Sequence, residues 1–407
     1  MESRTLQITV RGGLLENIID MMTLCYIIMI GVSSDVISTS MSNLWCAVII
    51  VLCFCYKLKY RITSVTRFTV IMFLFVAFCI ASLTWSRDVS TSKERVTTVG
   101  LLFVFSSLLY DCLVHQKKEI RFLHMVCLGG VLYAIYILFS YGIENYITLL
   151  VGGNRIGSAV TSFNNNGVGR IMSITAILCL GIFINEKQWK YLFGFVLCAL
   201  IMLGSGSRTA MGGFAAGLIS VFLFRRTRKR FLYIVGGAIT LFIALQVLQL
   251  PAFEFASSRV DQLLAGLTGN KTASDYSTLE RMRLNQVAIK QFLETPILGI
   301  GIGSSTVLTK SIMGIASYMH NNYLELLCCG GLIGTAIYYL QYFVPIGHIV
   351  RNFKNHTNEQ TIALTVVIMY LIMHFGTVSY FDKSVYIHMI LIHLLAEKKE
   401  QEYPYEA

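Results

Sequence analysis

Long apolar runs recur along the whole chain, and they constrain its fold more than any other feature. Of the 407 residues, 55% are hydrophobic and 14% are charged, whereas a soluble domain carries about 25% charged residues. A membrane-spanning helix needs roughly 20 apolar residues, and a β-barrel would instead show weaker alternating segments of about 10 residues. The sequence therefore predicts an all-α, polytopic integral membrane protein that forms a single membrane domain over residues 1–407.

The apolar runs predict about twelve transmembrane helices. The candidate spans are residues 17–33, 43–58, 68–85, 96–114, 121–142, 167–184, 190–205, 209–224, 231–250, 322–348, 361–379 and 384–396. The seventh and eighth spans lie close together and the last is short, so one pair of spans could be a re-entrant hairpin. The longest polar stretch, residues 251–321, is a loop between the ninth and tenth spans.

Basic residues are distributed between the apolar runs and do not form one basic domain. The net charge of +11 therefore does not indicate nucleic-acid binding. Lys and Arg cluster after the second, fourth, sixth, eighth and tenth spans and at the end of the chain. Because cytoplasmic loops carry such an excess, the sequence predicts that both termini are cytoplasmic and that the loop 251–321 is external. The 11 cysteines fall in or beside apolar runs, which is typical of small hydrophobic packing residues.

The external loop contains a predicted amphipathic helix. Ser277 and Glu280 fit a capping box, apolar residues follow at helical spacing, and Pro296 ends the pattern. We therefore expect a helix over about residues 278–294 that carries Arg281 and Arg283 on the outer surface. The glycine run that follows, GIGIG, is a weak signal for nucleotide binding because no strand precedes it, and a turn or re-entrant loop is the better interpretation.

His320 opens the segment HNNYLELL, where the chain re-enters the membrane. Of the histidines, only His320, with His374 as a second candidate, should lie near the outer face, and a histidine exchanges protons near neutral pH. The amides of Asn321 and Asn322 can bind sugar hydroxyls. Glu325 lies five residues after His320 and does not share its helical face cleanly.

Two further segments place arginines at the predicted outer face. Arg208 lies in GSGSRTAMGG, in a hairpin of a few residues between two spans. An arginine near the membrane should be paired or should face a water-filled cavity, although snorkelling to the lipid headgroups is the alternative. In SFNNNGVGR, Asn164, Asn166 and Arg170 stand where a span begins. Helix starts favour anions, but capping alone would explain the asparagines.

Taken together, these segments resemble the O-antigen polymerase and O-antigen ligase superfamily of bacterial envelope glycan enzymes. The resemblance covers roughly residues 160–345 and is carried, in order, by SFNNNG, GSGSRT, RMRLNQVAIKQFLETPILGIGIG and HNNYLELLCCGG. The family often has an aromatic residue four positions after the arginine of the third segment. Here that position is Asn285, which leaves the choice between Arg281 and Arg283 open.

The resemblance implies a membrane glycosyltransferase of the bacterial cytoplasmic (inner) membrane. It would polymerise undecaprenyl-diphosphate-linked oligosaccharides into O-antigen, capsular polysaccharide or exopolysaccharide at the external face. Arg208 and Arg281 would grip the diphosphate, and His320 would position or deprotonate the acceptor hydroxyl. The expected substrate-binding residues are Arg283, Asn321, Asn322, Tyr323, Asn164, Asn166 and Arg170.

The expected partners are the lipid-linked oligosaccharide, membrane lipid, a flippase and a chain-length regulator. No acidic cluster suited to a divalent metal occurs in the external loop, because hard cations need several carboxylate oxygens together. We therefore expect a reaction that needs neither a metal nor a cofactor.

Two alternatives to a polymerase stay open. An O-antigen ligase uses the same chemistry but transfers a finished glycan to another acceptor. A transporter or flippase would also have about twelve spans, with two related halves and a substrate site of broken helices near the bilayer midplane. No half repeat is detectable, and the notable cations lie near the outer rim.

Overall fold

Helices are the regular elements of the protein. The computed structural model describes residues 13–32, 39–151, 164–225, 235, 276–351 and 353–398, and no strand occurs within these ranges. The helices are α1 (Leu14–Val32), α2 (Thr39–Lys59), α3 (Arg67–Ser82), α4 (Val89–Gln116), α5 (Glu119–Tyr141), α6 (Ile143–Val151), α7 (Asn165–Glu186), α8 (Trp189–Gly204), α9 (Arg208–Leu223), α10 (Tyr276–Glu294), α11 (Ser305–Met313), α12 (Asn322–Arg351), α13 (Asn358–Met373) and α14 (Lys383–Ala396).

Eleven of these helices coincide with predicted spans. Six of them, α1, α2, α4, α5, α7 and α12, are long and apolar enough to cross a membrane, and α3, α8, α9, α13 and α14 are shorter apolar helices. The protein is therefore an all-α, polytopic membrane protein. The predicted ninth span, 231–250, lies outside the described residues, so the count of twelve stays a prediction.

The loops that the sequence identified as basic meet at one end of the bundle. Ion pairs join the helix ends there: Lys57 to Asp111 at 2.5 Å, Lys118 to Asp20 at 2.9 Å, and Lys398 to Glu359 at 3.0 Å. We call this the basic end. In each of these three pairs the two side chains carry opposite charge, which offsets the cost of holding them beside apolar surface.

Helix α10 occupies the position where the sequence predicted an amphipathic helix. Leu284 and Ala288 are buried, and α10 packs along α12. The opposite side of α10 exposes large apolar side chains, which are Leu279, Met282, Ile289 and Leu293. A helix with one face on the protein and exposed apolar side chains on another suits the membrane surface.

Helix α12 is interrupted at Gly331, whose φ of 62° and ψ of −164° are not helical. The chain between Pro296 and Ser304 packs into this interruption. Its backbone pairs with the broken helix: Ile300 and Gly301 N–H groups donate to the Cys328 and Cys329 carbonyls at 3.1 and 2.9 Å, and Leu332 and Ile333 N–H groups donate to the Pro296 and Ile297 carbonyls at 2.8 and 3.2 Å. The backbone groups that the break releases are thus satisfied inside the protein, as membrane depth requires.

The glycine run is what allows this close approach. Gly299, Gly301 and Gly303 all have positive φ, of 67°, 96° and 88°, where a side chain is strained. A Cβ on Gly301 would lie 2.5 Å from the Cα of Ser86. The segment therefore forms a packed re-entrant turn between α12 and the start of α4, with no room for a nucleotide against its backbone.

We expect Gly301→Ala to destabilise the protein by both strain and overlap. The left-handed conformation costs a non-glycine residue about 1–2 kcal/mol, and overpacking adds roughly 1–3 kcal/mol. Gly314→Ala is the matched control, because Gly314 also has a positive φ, 72°, but a Cβ there meets nothing within 4 Å. The measurement is the fraction of purified protein that stays monodisperse in detergent after heating. Equal losses for the two variants would show that the contact with Ser86 carries no cost.

Candidate functional site

His320 lies in the loop between α11 and α12, outside the helices that span the membrane. Its φ of 52° is a left-handed conformation that is uncommon for a residue with a side chain and that often marks functional sites. The half-buried ring lies 4.3 Å from the ring of Tyr318, centroid to centroid. Among the residues that the structure describes, neither ring nitrogen of His320 has a hydrogen-bond partner. Within the described structure, both nitrogens therefore keep their hydrogen-bonding capacity.

The backbone on both sides of His320 is held by hydrogen bonds. Before it, the Met319 N–H donates to the Glu325 carboxylate at 3.0 Å. After it, the Asn322 N–H donates to the His374 carbonyl at 2.8 Å. These bonds fix the chain one residue before and two residues after His320, so its unusual conformation is imposed by its neighbours.

Glu325 connects this loop to α11. Its side chain is 1% exposed, and its other carboxylate oxygen accepts the Ser305 hydroxyl at 2.7 Å. The sequence predicts no role for Glu325, because it does not share a helical face with His320. It acts instead on the Met319 backbone. The usable signal was the presence of a carboxylate in an apolar helix, where an ionisable residue is costly and needs partners.

Arg281 is the cation that acts on His320. Burial and the positive charge of Arg281 together lower the pKa of His320 to about 4. Burial also raises the pKa of Tyr318, although the Arg281 charge opposes that rise. At neutral pH the site therefore presents an uncharged imidazole and a protonated phenol beside a guanidinium. Arg283, two residues away on α10, is exposed to solvent.

Arg208 is the first residue of α9 and is half-buried. The start of α9 meets the turn after α13, because a Cβ on Gly376 would lie 2.1 Å from the Thr209 hydroxyl oxygen. The same turn holds the start of α12 through the His374 carbonyl. Arg208 and His320 thus lie beside one turn, at the end of the bundle opposite the basic end.

Arg170 is buried in α7 and forms an ion pair with Asp382, the N-cap of α14. The guanidinium also donates to the Ser384 hydroxyl at 3.3 Å. Although burial alone would raise it, the charge of Arg170 and the hydrogen bonds from Ser384 hold the pKa of Asp382 below its usual value. Arg170 therefore ties α7 to α14, and its charge is already balanced.

Arg95, in the second turn of α4, was not singled out from the sequence. Its guanidinium lies 3.9 Å from the centre of the Phe381 ring, a cation–π contact. Its charge also acts on Tyr318. Arg95 stands far from the other site residues in the chain, at the end of the mixed-charge segment SRDVSTSKER, so no sequence pattern linked it to them.

The asparagines of SFNNNGVGR form hydrogen bonds at the starts of α7 and α9. The Asn164 side chain caps α7 by accepting the N–H groups of Asn166 and Gly167 at 3.1 and 3.2 Å. Asn166 accepts the Ser207 hydroxyl at 2.9 Å. Because Ser207 is the N-cap of α9, these asparagines align the start of α7 with the start of α9 and so help to place Arg208.

The side chains of the three residues after His320 form hydrogen bonds with other parts of the protein. Asn321 caps α12, since its side chain accepts the Tyr323 and Leu324 N–H groups at 3.0 and 3.2 Å. The fully buried Asn322 donates to the Tyr339 hydroxyl at 3.1 Å and accepts the Ser379 N–H at 2.9 Å. The Tyr323 hydroxyl donates to the Leu371 carbonyl at 2.7 Å. We assign Asn322 to the support of the loop and not to substrate binding.

Comparison with known proteins finds one family model and one relative that are similar to parts of this chain. Residues 193–339 match a family model described as O-antigen ligase, and this range includes Arg208, Arg281 and His320. The match confirms the resemblance to the O-antigen polymerase and ligase superfamily, and it supports a membrane glycan-processing function. An uncharacterized protein of Haemophilus influenzae is 24% identical over 223 residues, covering 50% of this chain and 55% of that protein. The chain thus spans about half the length of this relative.

Proposed function

Because residues 193–339 match the O-antigen ligase family, we propose that the protein is a membrane glycosyltransferase that polymerises undecaprenyl-diphosphate-linked oligosaccharide repeat units. The product would be O-antigen, capsular polysaccharide or exopolysaccharide, made at the external face of the bacterial cytoplasmic membrane. The observation that carries the proposal is His320, an uncharged imidazole whose nitrogens have no hydrogen-bond partner among the described residues, held near the charge of Arg281 outside the spanning helices.

The proposed reaction uses His320 as the general base. An acceptor sugar hydroxyl attacks the anomeric carbon of the lipid-linked sugar, and its proton passes to a ring nitrogen of His320. The new glycosidic C–O bond forms while the bond from the anomeric carbon to the diphosphate oxygen breaks, and the lipid diphosphate leaves with the electron pair. A base must be unprotonated to accept the proton, and burial beside Arg281 keeps His320 in that form at neutral pH.

The leaving diphosphate needs neutralisation of charge more than it needs a proton. A guanidinium presents two parallel N–H groups to a phosphate, and fixed cations aimed at developing negative charge are a large catalytic contribution. Arg281 is the first candidate because its charge reaches His320. Arg208, at the start of α9 beside the same turn, is the second. Arg170 is less suited, since Asp382 already balances its charge.

Arg281→Gln is expected to lower the rate and to move its dependence on pH. Burial is the larger cause of the low pKa of His320 and stays in the variant, so loss of the nearby positive charge raises this pKa only part of the way from about 4 toward its ordinary value. In wild type the rate should fall only as the pH approaches 4, whereas in Arg281→Gln the fall should begin at a higher pH. The measurement is the rate of glycan transfer by purified protein between pH 4 and 8.

Arg283→Gln provides the control for the pH profile. It removes the same charge from the same helix, but Arg283 is exposed and does not act on His320. The decrease of its transfer rate at low pH should therefore occur over the same pH range as in wild type. If Arg281→Gln and wild type lose activity over the same pH range, the proposed coupling of Arg281 to the base is wrong.

The ligase is a second candidate because the matching family model is itself described as O-antigen ligase. The broken helix α12 is a feature that a transporter would also have. Its freed backbone groups, however, are occupied by residues 296–301 and are not left to coordinate a substrate. This arrangement favours an enzyme over a transporter.

The experiment that separates these functions is the glycan profile of a deletion strain with and without the wild-type gene. A polymerase deletion should accumulate single repeat units without a ladder. A ligase deletion should accumulate a lipid-linked ladder that never reaches its final carrier. An unchanged ladder in the deletion strain would contradict both enzymes.

A further inference from the structure

A cavity of about 230 Å³ lies at the basic end, between the start of α3 and the ends of α12 and α14. Arg67, His348 and Arg351 contribute basic side chains to its wall, and Glu397 contributes a carboxylate. Because α12 begins beside His320 and ends at Arg351, roughly 40 Å of helix separates this cavity from the candidate active site.

The two arginines of the cavity form no ion pair with any residue that the structure describes. Within the described part of the chain, neither Arg67 nor Arg351 takes part in an ion pair or a hydrogen bond through its side chain. Glu397, in the same wall, accepts the Tyr110 hydroxyl at 2.8 Å, and its single negative charge can offset only one of the two arginines. Lys57, Lys118 and Lys398 at the same end do have carboxylate partners. The cavity wall thus keeps an excess of positive charge.

The residues of the cavity wall suit a phosphate group attached to an apolar tail. Arg67 is the first residue of α3, so the positive end of that helix dipole also faces this end of the bundle. On the other side, Phe343 and Pro345 line the wall, and the Phe343 side chain is 56% exposed. A phosphate can lie between the two guanidinium groups while an acyl chain follows the exposed apolar side of α12.

We propose that this cavity binds the phosphate headgroup of an anionic phospholipid in the leaflet at the basic end. The assignment is independent of the proposed glycosyltransferase activity, because it uses none of the residues near His320. Arginine forks recognise phosphate in two-point contacts, and anionic lipids concentrate at surfaces that carry unpaired cations. Bound lipid would join the start of α3 to the ends of α12 and α14.

The test is native mass spectrometry of the purified full-length protein titrated with phosphatidylglycerol in detergent. We expect the double variant R67Q/R351Q to weaken binding of the first lipid by roughly tenfold or more, because hydrogen bonds between charged groups are lost. Phosphatidylcholine, whose headgroup has no net charge, should bind wild type no better than it binds the variant. R67K/R351K should fall in between, since an ammonium keeps the charge but not the fork.

The matched control is K117Q/K354Q, which removes two positive charges from exposed lysines of the same end that do not line the cavity. If this control loses as much binding as R67Q/R351Q, the lipid responds to overall charge and the proposed site is wrong. Unchanged binding by R67Q/R351Q has the same meaning. A third arm uses inorganic phosphate alone. If phosphate binds wild type without lipid, displaces phosphatidylglycerol and is lost in R67Q/R351Q, the ligand is free phosphate and the lipid assignment is overturned.

Discussion

His320→Ala is expected to abolish the glycan ladder while leaving the protein inserted and at its normal abundance. A general base contributes roughly 10²–10⁴-fold to a rate, and the acceptor hydroxyl is a weak nucleophile without one. The side chain makes no hydrogen bond within the described structure, so its removal should not unfold the loop. The measurement is the length distribution of glycan from a deletion strain that carries the variant, together with the amount of protein in the membrane.

His115→Ala is a suitable control for this experiment. His115 lies in the last turn of α4 at the basic end, where its ring bonds to the Tyr56 hydroxyl at 2.9 Å. Its loss should leave the ladder intact. A normal ladder from His320→Ala would exclude a general-base role, and the search for the base would then move to other groups near Arg281.

Asp382→Asn is expected to destabilise the protein by on the order of 3 kcal/mol, because removal of one partner leaves a buried charge uncompensated. The side chain of Arg170 is 6% exposed, whereas that of Asp382 is 30% exposed. Because Asp382 is partly exposed to water, the expected loss of stability is near the low end of the values for buried ion pairs. The measurement is the temperature at which half of the purified protein in detergent ceases to be monodisperse.

Two further variants serve as controls for this prediction. Arg170→Met combined with Asp382→Asn removes both charges and should be more stable than Asp382→Asn alone, because no unpaired guanidinium remains. Glu359→Gln breaks the Lys398–Glu359 pair, whose side chains are 25% and 27% exposed, respectively, and should cost about 0–1 kcal/mol. Equal losses for Asp382→Asn and Glu359→Gln would mean that Arg170 does not depend on Asp382.

Much of the architecture follows from one-dimensional patterns. The length of an apolar run predicts a spanning helix because the bilayer has a fixed thickness, and eleven described helices lie where the runs predicted them. The end of a helix is less certain. Helix α13 stops at Met373 although its apolar run extends to residue 379, because the buried His374 and Ser379 form a hydrogen-bonded turn with Asn322. No local pattern contains that partner.

In the candidate site, too, some features can be predicted from the sequence and others depend on the tertiary structure. The sequence by itself indicated His320 and an arginine-led helix, because a histidine and cations at one rim of an apolar chain are chemically conspicuous. Only the tertiary structure placed Arg281, and not Arg283, where its charge reaches His320. It also supplied Glu325 as the anchor of the loop and Asp382 as the partner of Arg170. Apolar length and charge are local properties that a sequence displays directly, whereas a pKa or an ion pair depends on distances between residues that are remote in the chain.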